Sequence, residues 1–373
     1  MKYMISGGGT GGHIFPAIAI ADAIRRKDTE AEIMFVGATG RMEMERVPAA
    51  GYPIVGLPVA GFSRSNMLAN FGVVFKLLKS MIKARKVVGD FRPDIAIGVG
   101  GYASGPVLKE AQRRGIPTLI QEQNSYAGVT NKLLANKAER ICVAYNGMER
   151  FFPADRITVT GNPLRKAVVE GAKAISKGDA KSSLGFSPDK QLLVITGGSL
   201  GARTLNRSVA ADLDKIISAG INVLWQTGKY YIDEYKPLAE KYTADKVQIV
   251  PFLNKMELVY AGADLIVARA GASTISEIQA TGATALLVPS PNVAEDHQTH
   301  NANALASRGA AAMTPDATLE GQLGELVIGL MNDTAKLNAM GDEAAKMGIG
   351  DSDDRIAALA VEIAEKQCKK GKR

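Results

Sequence analysis

Short apolar runs alternate with longer amphipathic stretches along almost the whole chain. In the first half the runs are "YMIS", "EIMFVG", "PIVGL", "DIAIGVG", "PTLIQ" and "RICVA". Helical periodicity fills the gaps near residues 14–27, 67–89, 104–114 and 127–138. A run that is apolar on both faces can only be buried in a sheet covered on both sides, which means parallel strands with helices above and below. The second half repeats the plan with "QLLVITGG", "INVLWQ", "VQIVPF", "DLIVARAG" and "ATALLVPS", and with helices near 201–218, 254–262, 271–281 and 298–308. A chain of 373 residues exceeds one ordinary core, so the expected fold class is α/β with two successive doubly wound domains.

The boundary is expected at "VTGNPLRKAV", where Gly161-Asn162-Pro163 is turn chemistry and Pro163 can open a helix. Near the end, "DSDDRIAALAVEIAEKQ" reads as a capped helix that could pack on either domain, and the tail "KKGKR" reads as disordered.

Composition removes several function classes. No uncharged apolar run reaches the roughly 18 residues of a membrane span. The start "MKYMISGGG" lacks the apolar stretch of a signal peptide. Cys142 and Cys368 match no metal spacing and form no disulfide framework, which points to a reducing cytoplasm. The net charge of +7 is uneven: residues 1–162 hold 21 Lys and Arg against 13 Asp and Glu, and the rest hold 24 against 25. A polyanionic partner for the first half follows, either nucleic acid or an anionic membrane surface. The aromatic–basic interleaving or recognition module of a nucleic-acid binder is absent.

Glycine loops carry the chemistry. "GGGTGGH" (7–13) lies between a strand and a helix, where bare amides at a helix N-terminus suit an anion. The competing reading is a tight turn without a ligand. A dinucleotide site would add an acid at the end of the second strand to hold the ribose. That strand ends "FVGATG", so NAD and FAD are disfavoured. "TGGSLGARTLN" (196–206) occupies the same place in the second half, where Ser199 and the amides around Gly198 and Gly201 could hold a diphosphate. "ARAGASTISEI" (268–278) is a third such turn, with Ser273, Thr274 and Glu277 at its edge. Glu277 is read either as a ribose ligand or as a solvated helix residue.

Seven segments in order, "GGGTGGHIFPAIAIA", "GVGGYASGP", "QEQNSYAGVTNKLLA", "TGNPLR", "GGSLGARTLN", "ARAGASTISEI" and "EDHQTHNA", resemble the MurG-type peptidoglycan glycosyltransferases from residue 3 to about residue 310. The resemblance implies a GT-B fold, with two Rossmann-like domains facing a cleft and the last helix returning to the first domain. The expected domains are then 1–162 with helix 345–373, facing acceptor and membrane, and 163–344, binding UDP-GlcNAc. It implies transfer of N-acetylglucosamine from UDP-GlcNAc to the MurNAc 4-hydroxyl of undecaprenyl-diphosphoryl-MurNAc-pentapeptide (lipid I), making lipid II without a cofactor. Another GT-B UDP-sugar transferase and a UDP-sugar epimerase are the alternatives.

Residue by residue, Arg165 and Ser199 match positions on the UDP diphosphate, Leu253 a position whose backbone meets uracil, Glu277 the ribose ligand and Gln298 a position facing the sugar. Thr10, His13 and Asn124 match residues that close over donor sugar and acceptor, and Gly11, Gly12, Ser273 and Thr274 join the donor set. Gly8 and Gly9, with Gly101, Tyr102 and Ser104, are expected around the acceptor diphosphate. Gln121 stands where the family often has His.

Inversion at the sugar needs a base for the attacking hydroxyl. His13 is the first choice, since a helix N-terminus keeps an imidazole neutral, and Glu122 is the second. Loop amides and Arg165 could stabilise the leaving UDP without a metal. The D-x-D in "DSDD" (351–354) precedes an apolar-periodic helix and reads as an N-cap, not a metal site. Residues 67–88 read as a basic amphipathic helix with Lys76, Lys79, Lys83 and Lys86 in one stripe and Phe71, Val74, Phe75, Leu78, Met81 and Ile82 on another face. Either that apolar face lies on the sheet, or its N-terminal part and the preceding "GFSRSN" dock on the anionic cytoplasmic leaflet. The protein is thus expected to be peripheral, on the cytoplasmic side of the cell membrane.

Overall fold

A computed structural model describes residues 1–9, 11–59, 69–198 and 200–371. The chain divides into two compact units, Met1–Arg165 with Gly350–Arg373, and Lys166–Ile349. Unit 1 carries strands β1 (Lys2–Ser6), β2 (Glu32–Ala38), β3 (Ile54–Leu57), β4 (Ile95–Gly98), β5 (Thr118–Glu122), β6 (Arg140–Val143) and β7 (Ile157–Val159). Its helices are α1 (Gly11–Lys27), α2 (Glu43–Ala49), α3 (Ala69–Phe91), α4 (Ser104–Arg113) and α5 (Val129–Leu134). The sheet order is β3-β2-β1-β4-β5-β6-β7, and the described pairs are parallel.

Unit 2 opens with α6 (Lys166–Ala174) and α7 (Lys177–Ser183). Its strands are β8 (Leu192–Thr196), β9 (Asn222–Gln226), β10 (Val247–Val250), β11 (Leu265–Ala268), β12 (Ala285–Leu287) and β13 (Ala312–Met313), in the order β10-β9-β8-β11-β12-β13. Helices α8 (Arg203–Ser218), α9 (Ile232–Tyr235), α10 (Met256–Gly262), α11 (Ala272–Thr281), α12 (His297–Ala306), α13 (Leu323–Met331) and α14 (Thr334–Met347) cover them.

The central strands are buried along their length because both of their faces are covered. In unit 1, Tyr3, Ile5, Phe35 and Ile97 point to one side and Met4, Val36, Ala96 and Ile120 to the other. The first side receives α1 and the last helix, α15 (Ser352–Gly371), through Ile356, Ala357, Ala360, Ile363 and Ala364. These residues recur at helical spacing and form one apolar stripe. In the "DSDD" stretch, Asp353 and Asp354, in the first turn of α15, both meet the Arg26 guanidinium of α1, at 2.8 and 3.0 Å. No metal-like cluster of His, Cys, Asp and Glu occurs among the described residues.

Several elements carry too little pattern to be read from sequence. β7 is three half-exposed residues at a sheet edge, and β13 has only two. α2 has no side-chain cap and holds a proline near its end. α7 and α14 have real capping signals that sequence reading passed over: Ser176 accepts from the Asp179 amide and Asp333 from the Lys336 amide.

The alternative of α3 laying its apolar face on the sheet does not hold for residues 75–82. The stripe it buries is Ser80, Ala84 and Val88, spaced by four, while Phe75, Leu77, Leu78 and Ile82 are exposed, Ile82 at 71%. The side chains of Phe71 and Val74, and the segment "GFSRSN", lie outside the described residues.

Candidate active site

In each parallel sheet the connections reverse direction beside the first strand of the unit, opening a crevice at the carboxyl ends of the strands. In unit 1 that point lies between β1 and β4, and in unit 2 between β8 and β11. The glycine loops emerge at these two places.

In unit 1 the loops after β1 and β4 interlock backbone to backbone. A Cβ on Gly101, whose φ is +82°, would sit 2.2 Å from the Gly8 carbonyl oxygen. A Cβ on Gly100 would sit 2.9 Å from Cδ2 and Nε2 of His13, so the imidazole edge lies against that glycine. His13 is the third residue of α1, after Gly11 and Gly12. Pro16 has no amide to give the Gly12 carbonyl, so the first turn of α1 is open on its acceptor side as well as its donor side. Thr10 lies outside the described residues.

A residue that sequence reading missed completes this loop. Glu43, 1% exposed, accepts the Gly9 amide at 3.1 and 3.2 Å and the Ala38 amide at 2.9 Å. Glu43 lies in the first turn of α2, beyond the "FVGATG" that ends the second strand. It binds backbone, and the Gly9 amide expected to face a phosphate is occupied. Ser104 is likewise buried, with its hydroxyl donating to the Gly101 carbonyl at 2.9 Å, while Tyr102 stands 57% exposed.

The loop after β5 is held from within. Glu122, 2% exposed, accepts from the Asn124 amide at 3.1 Å, the Asn124 side chain at 3.3 Å, the Gly128 amide at 2.9 Å and the Asn131 side chain at 2.8 Å. Four donors on one buried carboxylate make it the fastener of residues 122–131, which does not suit a general base. Gln121, where the family often has His, donates to Asn162 at 2.9 Å and accepts from Gln123 at 2.6 Å, and Asn162 donates to the Gln123 carbonyl at 3.0 Å. This buried amide set ties β5 to the segment leading to Arg165, whose guanidinium lies 5.7 Å from the Phe15 ring centre. Cys142 is fully buried and burial pushes its thiol up to about 12, which excludes a thiolate nucleophile.

In unit 2 the loop after β8 is packed just as closely, but is held through its carbonyl. A Cβ on Gly201 would sit 2.0 Å from the Thr227 carbonyl oxygen, and one on Gly228 2.2 Å from the Gly201 nitrogen. Gln226, buried at the end of β9, donates to the Gly198 carbonyl at 2.8 Å and to Pro251 at 3.2 Å. Ser199 lies outside the described residues.

Around it, the first turn of α11 presents Ser273, whose Oγ is buried with no partner among the described residues, and half-exposed Thr274. An orphaned buried hydroxyl at a helix N-terminus is a place for a ligand oxygen. Glu277 is 4% exposed and accepts the Tyr260 hydroxyl at 2.8 Å, so it is not a solvated helix residue. Leu253 is buried in the core and its neighbour Phe252 is 52% exposed. Gln298 accepts the Ser290 amide at 2.9 Å through Oε1, which fixes how its side-chain amide points. Just before it, Glu295 and Asp296 hold φ of 56° and 47°, two successive strained residues of the kind found at functional sites.

Residues 3–143 match the glycosyltransferase family 28 N-terminal domain and residues 192–356 the family 28 C-terminal domain. The UDP-N-acetylglucosamine--N-acetylmuramyl-(pentapeptide) pyrophosphoryl-undecaprenol N-acetylglucosamine transferase of Phocaeicola vulgatus is 52% identical, covering 100% of this chain and 99% of the relative. The crystal structure of Acinetobacter baumannii MurG superposes with a TM-score of 0.78 at 28% identity, over 97% of this chain and 99% of the other. A UDP-GlcNAc 2-epimerase from Neisseria meningitidis superposes at 0.67 over 98% and 100% of the chains, but at 14% identity, a likeness of fold alone.

Proposed function

This chain belongs to glycosyltransferase family 28, and from that membership we propose that it is the GlcNAc transferase that converts lipid I to lipid II. The substrates are UDP-GlcNAc and undecaprenyl-diphosphoryl-MurNAc-pentapeptide, and the acceptor atom is the MurNAc 4-hydroxyl. The observation that carries this reading is the 52% identity over the full chain to a relative of that name. The epimerase alternative has only the shared fold in its favour.

His13 is the base of this reading. Its position in the first turn of α1, against Gly100, supports the role: the helix N-terminus disfavours the imidazolium and leaves a nitrogen able to accept the hydroxyl proton. Attack on the anomeric carbon from the face opposite UDP inverts it. The leaving diphosphate gains charge as the bond breaks, and the 198–202 loop, Ser273 and Arg165 stabilise it. Glu277 holds the ribose, Gln298 the sugar, and the backbone at Leu253 the base. Glu122 and Asn124 act by shaping the loop after β5. With the Gly9 amide occupied, the acceptor diphosphate meets the first turn of α1 beside Tyr102.

The acceptor is membrane-bound, and among the described residues no helix is long and apolar enough to cross a membrane. Docking by α3 is the matching arrangement. Phe75, Leu78 and Ile82 form an exposed stripe, and the Lys79 ammonium sits 4.7 Å from the Phe75 ring centre. An apolar stripe edged by lysines suits the anionic inner leaflet. Transfer of radiolabel from UDP-GlcNAc to a lipid I analogue tests the whole reading. Lipid-dependent product is expected, and release of an isomerised UDP-sugar without acceptor would overturn it.

A further inference from the structure

We propose that Glu43 is the positioning residue of the acceptor half-site, holding the first glycine loop and, through it, His13. The proposal rests on the functional reading above but concerns a residue that reading does not use.

The slot that holds the Glu43 carboxylate is made by two missing side chains. A Cβ on Gly8 would lie 2.1 Å from its Oε1 and a Cβ on Gly37 2.6 Å from its Cγ. Within the slot Oε1 takes two amides at once, from Gly9 in the loop and Ala38 at the end of β2. A carboxylate only 1% exposed needs such donors, and the amide of Ala38, itself 6% exposed, would otherwise be buried without an acceptor. The carboxylate therefore fastens the loop to the second strand. On the other flank Gly101 presses on the Gly8 carbonyl. Residues 8 and 9 are clamped from both sides just before α1 begins at Gly11. His13 is two residues further on, its ring wedged at Gly100, so any shift of the clamp moves the base.

Unit 2 offers a contrast. There the residue reaching the loop from the second strand is Gln226, and it donates to a carbonyl. The loop of unit 2 is thus held at a carbonyl, with the Gly198 amide on the Thr196 hydroxyl at 3.4 Å and the Gly201 amide on the Gly198 carbonyl at 2.9 Å, whereas that of unit 1 has an internal anion on one of its amides. The first loop is built for fixed geometry.

The experiment compares Glu43→Gln, Glu43→Asp and Glu43→Ala, with turnover counted per UDP-binding site by calorimetry. Glutamine keeps the reach of Oε1 and can accept both amides. Aspartate keeps the charge but is one methylene short. Glu43→Ala and Glu43→Asp should lose about 10-fold to 100-fold in kcat/KM for the lipid I analogue, with unchanged UDP affinity, as expected for a misplaced catalytic group. Glu43→Gln should stay within about 3-fold of wild type, because hydrogen-bond reach and not charge carries the role. If Glu43→Ala fails to fold, the comparison of glutamine with aspartate still decides. Equal kcat/KM per site in aspartate and glutamine variants, or an unchanged acceptor kcat/KM in Glu43→Ala, overturns the proposal. A wild-type protein with no lipid I transfer at all would instead overturn the functional reading.

Discussion

Replacing Gly101 by alanine measures how tightly the two loops of unit 1 are interlocked. Gly101 has φ +82°, where an L-residue costs about 1–2 kcal/mol. The new Cβ would also meet the Gly8 carbonyl oxygen at 2.2 Å. Both partners are backbone, so no rotamer change relieves the overlap, and overpacking of this kind costs about 1–3 kcal/mol more. Gly51 provides the control: its φ is also +82°, and nothing lies within 4 Å of the Cβ it would gain. Gly51→Ala should therefore carry the conformational cost alone. The difference between the variants, about 1–3 kcal/mol, corresponds to a melting temperature lower by roughly 2–12 °C for Gly101→Ala. Thermal scans by circular dichroism follow both units, while the one tryptophan, Trp225, is buried in unit 2 and reports that unit alone. The tryptophan transition should stay in place as the unit 1 transition falls. Identical melting of Gly101→Ala and Gly51→Ala would refute the interlock.

His13→Ala should lower kcat by about 10²–10⁴-fold, the range for removal of a general base, with UDP affinity by calorimetry unchanged. Turnover near wild type would exclude His13 as the base. Glu277→Ala should weaken UDP binding by about 1–3 kcal/mol, while Tyr260→Phe, which removes only the hydroxyl partner of the carboxylate, should weaken it less. Equal effects would make Glu277 a packing residue. For α3, changing Phe75 and Leu78 to serine, or Lys76, Lys79 and Lys83 to glutamate, should reduce sedimentation with anionic vesicles, each lysine being worth about 1 kcal/mol at such a surface. A soluble short-chain acceptor should still be used by the lysine variant, and vesicle binding unaltered by both sets of changes would move the membrane face elsewhere.

The architecture was legible because parallel strands are apolar on both faces, so β1, β4, β5, β8, β9 and β11 stand out as runs without alternation. Edge strands such as β7 lack that signature, since one side faces no further strand. The glycine loops and the helix after each were visible for the same reason that they matter: only glycine tolerates such close approach. Hidden from sequence were the groups whose partners are backbone atoms. Glu43 reads as one more acid in "RMEMER", and nothing in its spacing announces an amide 34 residues earlier. Nor does the sequence announce the four donors that converge on the carboxylate of Glu122, the second choice for the base. Sequence left two readings of α3 open because it does not show that the stripe Ser80, Ala84 and Val88 suffices to pack the helix, leaving the large side chains outward.

The return of α15 to unit 1 sets an order of events during synthesis. Residues 1–165 leave the ribosome first, yet the core face of their sheet lacks Ile356, Ala357, Ala360, Ile363 and Ala364 until the end of the chain is made. All of unit 2 is synthesised in between, which at about 5–20 residues per second takes about 10–40 seconds. Unit 2 has every element of its own fold before then. The part of the chain that is translated first is therefore completed last, and for that interval it shows an apolar groove along α1 to whatever chaperone or neighbouring nascent chain is at hand.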